Sequence, residues 1–246
     1  MTKRVISVFL CVLCVISSIS FIVSAKENKE YTSENFLSVA DGIIAWKKAD
    51  NGSEPDGYLI NDKYLENAGT TPGDWYPIAL GRLGIQDNNE GYLAVIKDRV
   101  EERYRESGRL SAAKATEWHR IALAVLAMGG DPTNFGTDEN GAPINLIADG
   151  TYDRGKTTPL GRQGINGWIW GLITLDSMRY AVPDGAYNTR DDIIVEIISK
   201  QLSDGGFALS SDDADPDITA MAITALAPYY NSEKIYSYHR KALSAD

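Results

Sequence analysis

The feature that most constrains this chain is an internal repeat built on helical spacing. Four segments fit one template: a polar residue, two small or aliphatic residues five and six positions later, and a leucine at the ninth. They are Asp74 with Ala79, Leu80 and Leu83; Glu117 with Ala122, Leu123 and Leu126; Asn166 with Gly171, Leu172 and Leu175; and Asp217 with Ala222, Ile223 and Leu226. Their first positions lie 43, 49 and 51 residues apart, which leaves room for one further helix and two turns per repeat. Self-similarity at such a period marks stacked supersecondary units that bury their faces against one another.

The intervening helices are legible at Tyr92–Arg105 and Asp191–Leu202, where mixed charge lies on one face, as a water-facing helix requires. Between Gly130 and Gly164 the signal weakens to one short apolar run, Ile144-Asn145-Leu146-Ile147. Ahead of the first repeat, Phe36, Leu37, Ala40, Ile43, Ile44 and Trp46 recur at helical spacing up to a stop at Asp50-Asn51-Gly52. After Tyr230, the segment NSEKIYSYHRKAL reads as the start of another outer helix. No run of strand-like alternation competes, so the expected class is all-α: tandem helical hairpins, with inner helices forming a concave wall and outer helices facing water.

The start of the chain has a different composition. Lys3 and Arg4 precede an apolar run from Val5 to Val23, and Val23-Ser24-Ala25 offers small residues for cleavage. Residues 1–25 read as a secretory signal, with an uncleaved membrane anchor as the alternative, which leaves residues 26–246 as one domain, secreted or cell-surface associated. Both cysteines of the chain, Cys11 and Cys14, fall inside that leader, so the mature domain has no disulfide and no thiolate metal ligand. The formal charge is −10 and becomes −12 once Lys3 and Arg4 are removed, which argues against a nucleic-acid partner.

The leading polar residues Asp74, Glu117, Asn166 and Asp217 each admit two readings. Carboxylates and amides in a first helical turn satisfy unpaired backbone N–H groups and the positive dipole end. If the four instead ring one mouth, they favour a cationic or hydroxyl-bearing ligand. Trp75, Trp118, Trp168 and Trp170 lie in or beside the same turns and can stack on a saccharide, an isoprenoid or a peptide, or plug the core. His119, next to Glu117, reads as an acid or base, or as a buried structural histidine. His239 lies near the end of the chain and reads as exposed. The oxygen-rich DDADPD stretch lacks an EF-hand register, and Pro216 suits a first helical turn, so no metal or other cofactor is expected. Nucleophile triads and phosphate loops have no supporting pattern.

The segment KQLSDGGFALSSDDADPDITAMAITALAPYY, residues 200–230, resembles the repeat of the α/α-toroid superfamily, to which squalene and hopene cyclases, protein prenyltransferase β-subunits and cobalamin carriers belong. Gln201 and Asp204-Gly205-Gly206-Phe207 are similar to its glutamine-to-glycine-aromatic motif. Further stretches from DGIIAWKK to GINGWIWGLITLDSMRY resemble secreted Gram-positive bacterial proteins described as prenyltransferase-like or terpene-cyclase-like. The resemblance spans roughly residues 34–231 and implies a toroid. Four and a half hairpins stand against the six of a closed ring, so it implies a partial one, completed by missing C-terminal repeats, by self-association or by closure on the N-terminal helix.

Class II terpene cyclases carry Asp-x-Asp-Asp-Thr-Ala, and Asp215-Pro216-Asp217-Ile218-Thr219-Ala220 aligns with it, which puts Asp217 at the proton donor. Ile218 replaces the motif's last acid, and a carboxyl strong enough to protonate an alkene needs supporting groups and a dry site. The prenyltransferase zinc site needs a cysteine that the mature domain lacks. The expected function is therefore an extracytoplasmic ligand-binding domain with a concave pocket lined by tryptophans and acids. The alternatives are a cyclase-like enzyme acting through Asp217 and a structural module of a surface assembly.

Overall fold

The computed structural model describes residues 32–154, 159–238 and 241–243; the leader and His239 lie outside them. Helix α1 spans Ser33–Asn51, α2 Asp62–Leu65, α3 Thr71–Leu83 and α4 Asn89–Ser107. These are followed by α5 Thr116–Ala127, α6 Ile165–Asp176, α7 Arg190–Ile198 and α8 Pro216–Leu226. The chain divides after Lys47 into two compact units, the first holding most of α1 and the second everything from Lys48 on. Among the described residues no helix is long and apolar enough to cross a membrane.

Each template segment is a helix, and in the second unit the four stand side by side. Helix α3 packs on α5, α5 on α6, and α6 on α8. The small residues of the template serve this contact: a Cβ added at Gly81 of α3 would lie 2.0 Å from the Ala127 carbonyl oxygen of α5. Template position five is buried in Ala122, Gly171 and Ala222 and exposed in Ala79. The template leucine is fully buried only in α6, as Leu175, and half-buried in α3, α5 and α8. Helix α6 has α5, α7 and α8 around it.

Two outer helices match the sequence reading. Helix α4 buries Tyr92, Ile96, Val100 and Tyr104, one stripe at four-residue spacing. Helix α7 opens on a capping box, in which Thr189 and Asp192 satisfy each other's backbone N–H groups. Between α5 and α6 no outer helix forms among the described residues. Ile144, Leu146 and Ile147 are buried there, followed by a five-residue π turn, Ala148–Tyr152, and a 3-10 turn, Leu160–Gln163.

The expected helix after Tyr230 is absent as well. Strand β1, Tyr236–Tyr238, pairs antiparallel with β2, Lys241–Leu243. At the entry to β1 Ile235 is exposed and Tyr236 buried, and β1 packs on α7. The β-branched and aromatic residues Ile235 and Tyr236 favour a strand there.

Helix α3 contains Pro77, which removes the N–H that would bond the Gly73 carbonyl one turn earlier. The Tyr64 hydroxyl of α2 donates to that carbonyl instead, at 3.1 Å. The Gln201–Phe207 motif is a tight turn ahead of α8. Gln201 Nε2 donates to the Gly205 carbonyl, and Gly205 adopts the left-handed φ of +88°. Phe207 is buried, and its backbone N–H donates to the Thr219 hydroxyl of α8 at 2.9 Å.

Candidate functional site

The leading turns of three inner helices meet at one pocket of about 200 Å³. Helix α3 supplies Thr71 and Trp75, and α6 supplies Asn166 and Trp170, in each case four residues apart and so on one helical face. Helix α5 supplies Thr116, Glu117 and Arg120, with Lys114 just before it and Gln163 from the 3-10 turn. The two indoles approach each other with centroids 5.6 Å apart and planes inclined at 56°, although α5 separates their helices in the row. Trp75 is 42% exposed, so the apolar part of the pocket is open to solvent.

The floor of the pocket is an ion-pair network centred on Arg120. Its Nε donates to Asp74 Oδ2 at 2.8 Å, and its two terminal nitrogens donate to the Glu117 oxygens at 2.7 and 3.0 Å. The Thr71 hydroxyl and the Gly69 carbonyl accept the remaining two N–H groups, so all five guanidinium donors are engaged. Asp74 is 0% exposed and accepts two more bonds at Oδ1, from the Gly69 backbone at 2.7 Å and the Tyr92 hydroxyl at 2.8 Å. Three donors on two oxygens suit the ionised, acceptor-only carboxylate.

Burial pushes the Asp74 carboxyl upward, opposed by Arg120, Tyr92 and the Gly69 N–H. Burial acts the same way on Glu117, but Arg120, Arg103 and Lys114 outweigh it and hold that carboxyl below its ordinary value. Burial and the facing Asp74 charge raise the Tyr92 hydroxyl out of the physiological range.

Of the four leading polar residues, Glu117 and Asn166 line the pocket, Asp74 lies beneath it, and Asp217 is elsewhere. The helix starts explain Asp74. It is the fourth residue of α3, whereas the other three are each the second residue of their helix, so Asp74 sits further inside the row. Asp217 is exposed, and Asp215 provides the cap of α8, accepting from the Asp217 and Ile218 backbone N–H groups. The dry surroundings that an alkene-protonating acid needs are absent around Asp217.

Trp118, Trp168 and His119 also lie outside the pocket. Trp118 is 3% exposed; its indole donates to the Tyr104 hydroxyl at 2.8 Å, and the Arg154 guanidinium stacks 4.2 Å from its ring centroid. Trp75 and Trp118 hold the same template position but differ because the π turn covers that flank of α5, where a Cβ on Gly150 would sit 2.6 Å from Trp118 Cβ. Trp168 is half-buried over the 3-10 turn, with its Nε1 2.3 Å from where a Gly161 Cβ would stand.

His119 is 0% exposed and bonds the Gly150 carbonyl through Nε2 at 2.8 Å. That bond identifies Nε2 as the protonated nitrogen of a neutral ring. Burial lowers its pKa from 6.5 to about 3; the Gly150 carbonyl opposes this shift and Arg154 adds to it. Burial on every side and the bond to Gly150 suit the reading of His119 as a buried structural histidine.

Sequence reasoning passed over Arg120, Thr71, Thr116, Lys114 and Gln163. The spacing of Glu117 and Arg120, three apart on a helix, is the one signal that would have found the guanidinium. Among the described residues no group of three or more His, Cys, Asp or Glu is placed to hold a metal ion. No family model, no curated protein and no solved structure matches this chain.

Proposed function

We propose that this protein is a ligand-binding domain of partial α/α-toroid type, secreted or held at the cell surface, whose ligand occupies the pocket between Trp75 and Trp170. One observation carries the reading: leading turns from three sequence-separated repeats place two tryptophans and several hydrogen-bonding side chains around a single opening. A core needs no solvent-open indole pair at that point, and a pocket with convergent polar groups is the usual form of a small-ligand site. The toroid part of the reading is supported by the sequential contacts of α3, α5, α6 and α8.

The Arg120 network gives the pocket a fixed floor. Its charges are paired and its donors satisfied, so the floor adds rigidity without demanding a counter-ion. Native mass spectrometry of the protein purified from its own cells tests the reading. A retained small molecule is expected on the natural chain and should be lost from a chain carrying Trp75→Ala and Trp170→Ala. Both chains appearing at their bare sequence masses, with nothing retained on either, contradicts it.

A further inference from the structure

We infer that the ligand of this pocket is a saccharide, bound through one sugar ring laid against Trp75 and Trp170; the inference rests on the ligand-binding reading above. The opening is about 200 Å³, smaller than the ~300–1,000 Å³ of a typical drug-sized pocket. It suits one ring, with any further units outside in solvent.

Its lining separates the candidate ligand classes. Only the two indoles are apolar, and seven of the nine lining residues are polar, which is unfavourable for a long isoprenoid chain that must be fully desolvated. The charged groups are committed within the chain. Arg120 has no donor left, and both Glu117 oxygens accept from Arg120, with Arg103 a further 3.6 Å from Oε2. A strongly charged ligand would therefore find its counter-charges already paired, Lys114 apart.

Beside Lys114, what remains is neutral: the Thr116 hydroxyl donates to Gln163 Oε1 at 3.1 Å, which leaves the Thr116 lone pairs as acceptors, the Gln163 amide N–H groups as donors, and the Asn166 amide. A ligand rich in hydroxyls can both give and take hydrogen bonds with such groups, which a hydrocarbon cannot. The C–H face of a sugar ring meets an indole as an apolar surface while its hydroxyls reach the rim.

The test uses the natural chain against an array of oligosaccharides, with farnesol as an isoprenoid probe and intrinsic tryptophan fluorescence as the readout. At least one oligosaccharide should bind saturably. Trp75→Ala should weaken it tenfold or more with thermal unfolding unchanged, since Trp75 is already solvent-exposed. Trp75-dependent binding of farnesol with no oligosaccharide bound overturns the saccharide inference and leaves the ligand site standing. Silence from every probe overturns the saccharide inference and leaves the ligand-binding reading to the retained-mass test, and saccharide binding indifferent to Trp75 places the sugar elsewhere and overturns this inference.

Discussion

Arg120 and Asp74 form a buried ion pair, Nε to Oδ2 at 2.8 Å, that ties helix α5 to helix α3 beneath the tryptophan pocket. Because Asp74 also accepts from Tyr92, the same carboxylate fastens outer helix α4 to both inner helices. A charge held this far from water is sustained only by its complete set of partners.

Asp74→Ala should destabilise the protein by about 3 kcal/mol, since it takes the acceptor from the buried Arg120 Nε–H and the Tyr92 hydroxyl, although Glu117 still pairs with the guanidinium. Asp74→Leu combined with Arg120→Met should cost less than the sum of the two single changes, because neither buried member of the Asp74–Arg120 pair is left without the other and Glu117 keeps Arg103 nearby. Urea unfolding midpoints of the three chains and the parent check this. A shift for Asp74→Ala below about 1 kcal/mol, the level of an exposed pair, would contradict the network.

Tyr64→Phe should cost about 1–3 kcal/mol by leaving the Gly73 carbonyl without a partner under Pro77. Pro77→Ala restores an N–H one turn along, so the double variant Tyr64→Phe, Pro77→Ala should recover part of that loss. A double-variant cycle by thermal unfolding with no coupling between the two sites would rule this out.

His119 gives the fold an acid-sensitive element. Its folded pKa, about 3, lies below the unfolded value of 6.5, so the unfolded chain binds the extra proton between those values. Stability from this group is fully present above pH 6.5 and declines as pH falls toward 3, by up to about 1.4 kcal/mol per pH unit. His119→Gln can keep a donor toward the Gly150 carbonyl without titrating. The variant's unfolding midpoint should therefore fall less than the parent's between pH 6.5 and 4.5, and parallel curves would contradict the buried neutral ring.

The helices and their order were legible because burial imposes periodicity on the sequence. Leu80 and Leu172 recur where a row of helices needs them, and Tyr92–Arg105 reads as an outer helix from the mixed charge on one face, within the observed Asn89–Ser107. Which template residue faces the pocket was not legible. Glu117 and Asp217 occupy the same helical position, yet one meets Arg120, three residues on, and the other meets water; what sequence spacing does not give is that Arg120 is itself fixed by Asp74 from a helix 46 residues away. Trp75 and Trp118 diverge for the same reason, since the π turn that buries Trp118 has no periodic signature. The segment after Tyr230 misled because its apolar residues are few enough to fit either period.

The most direct measurement is an amide and indole correlation spectrum of the ¹⁵N-labelled protein during titration with the tightest-binding oligosaccharide from the array. The indole N–H signals of Trp75 and Trp170 should move together and saturate, while that of Trp118, bonded to the Tyr104 hydroxyl, stays in place. Movement of the Trp118 or Trp168 signals with Trp75 and Trp170 unchanged would contradict the account.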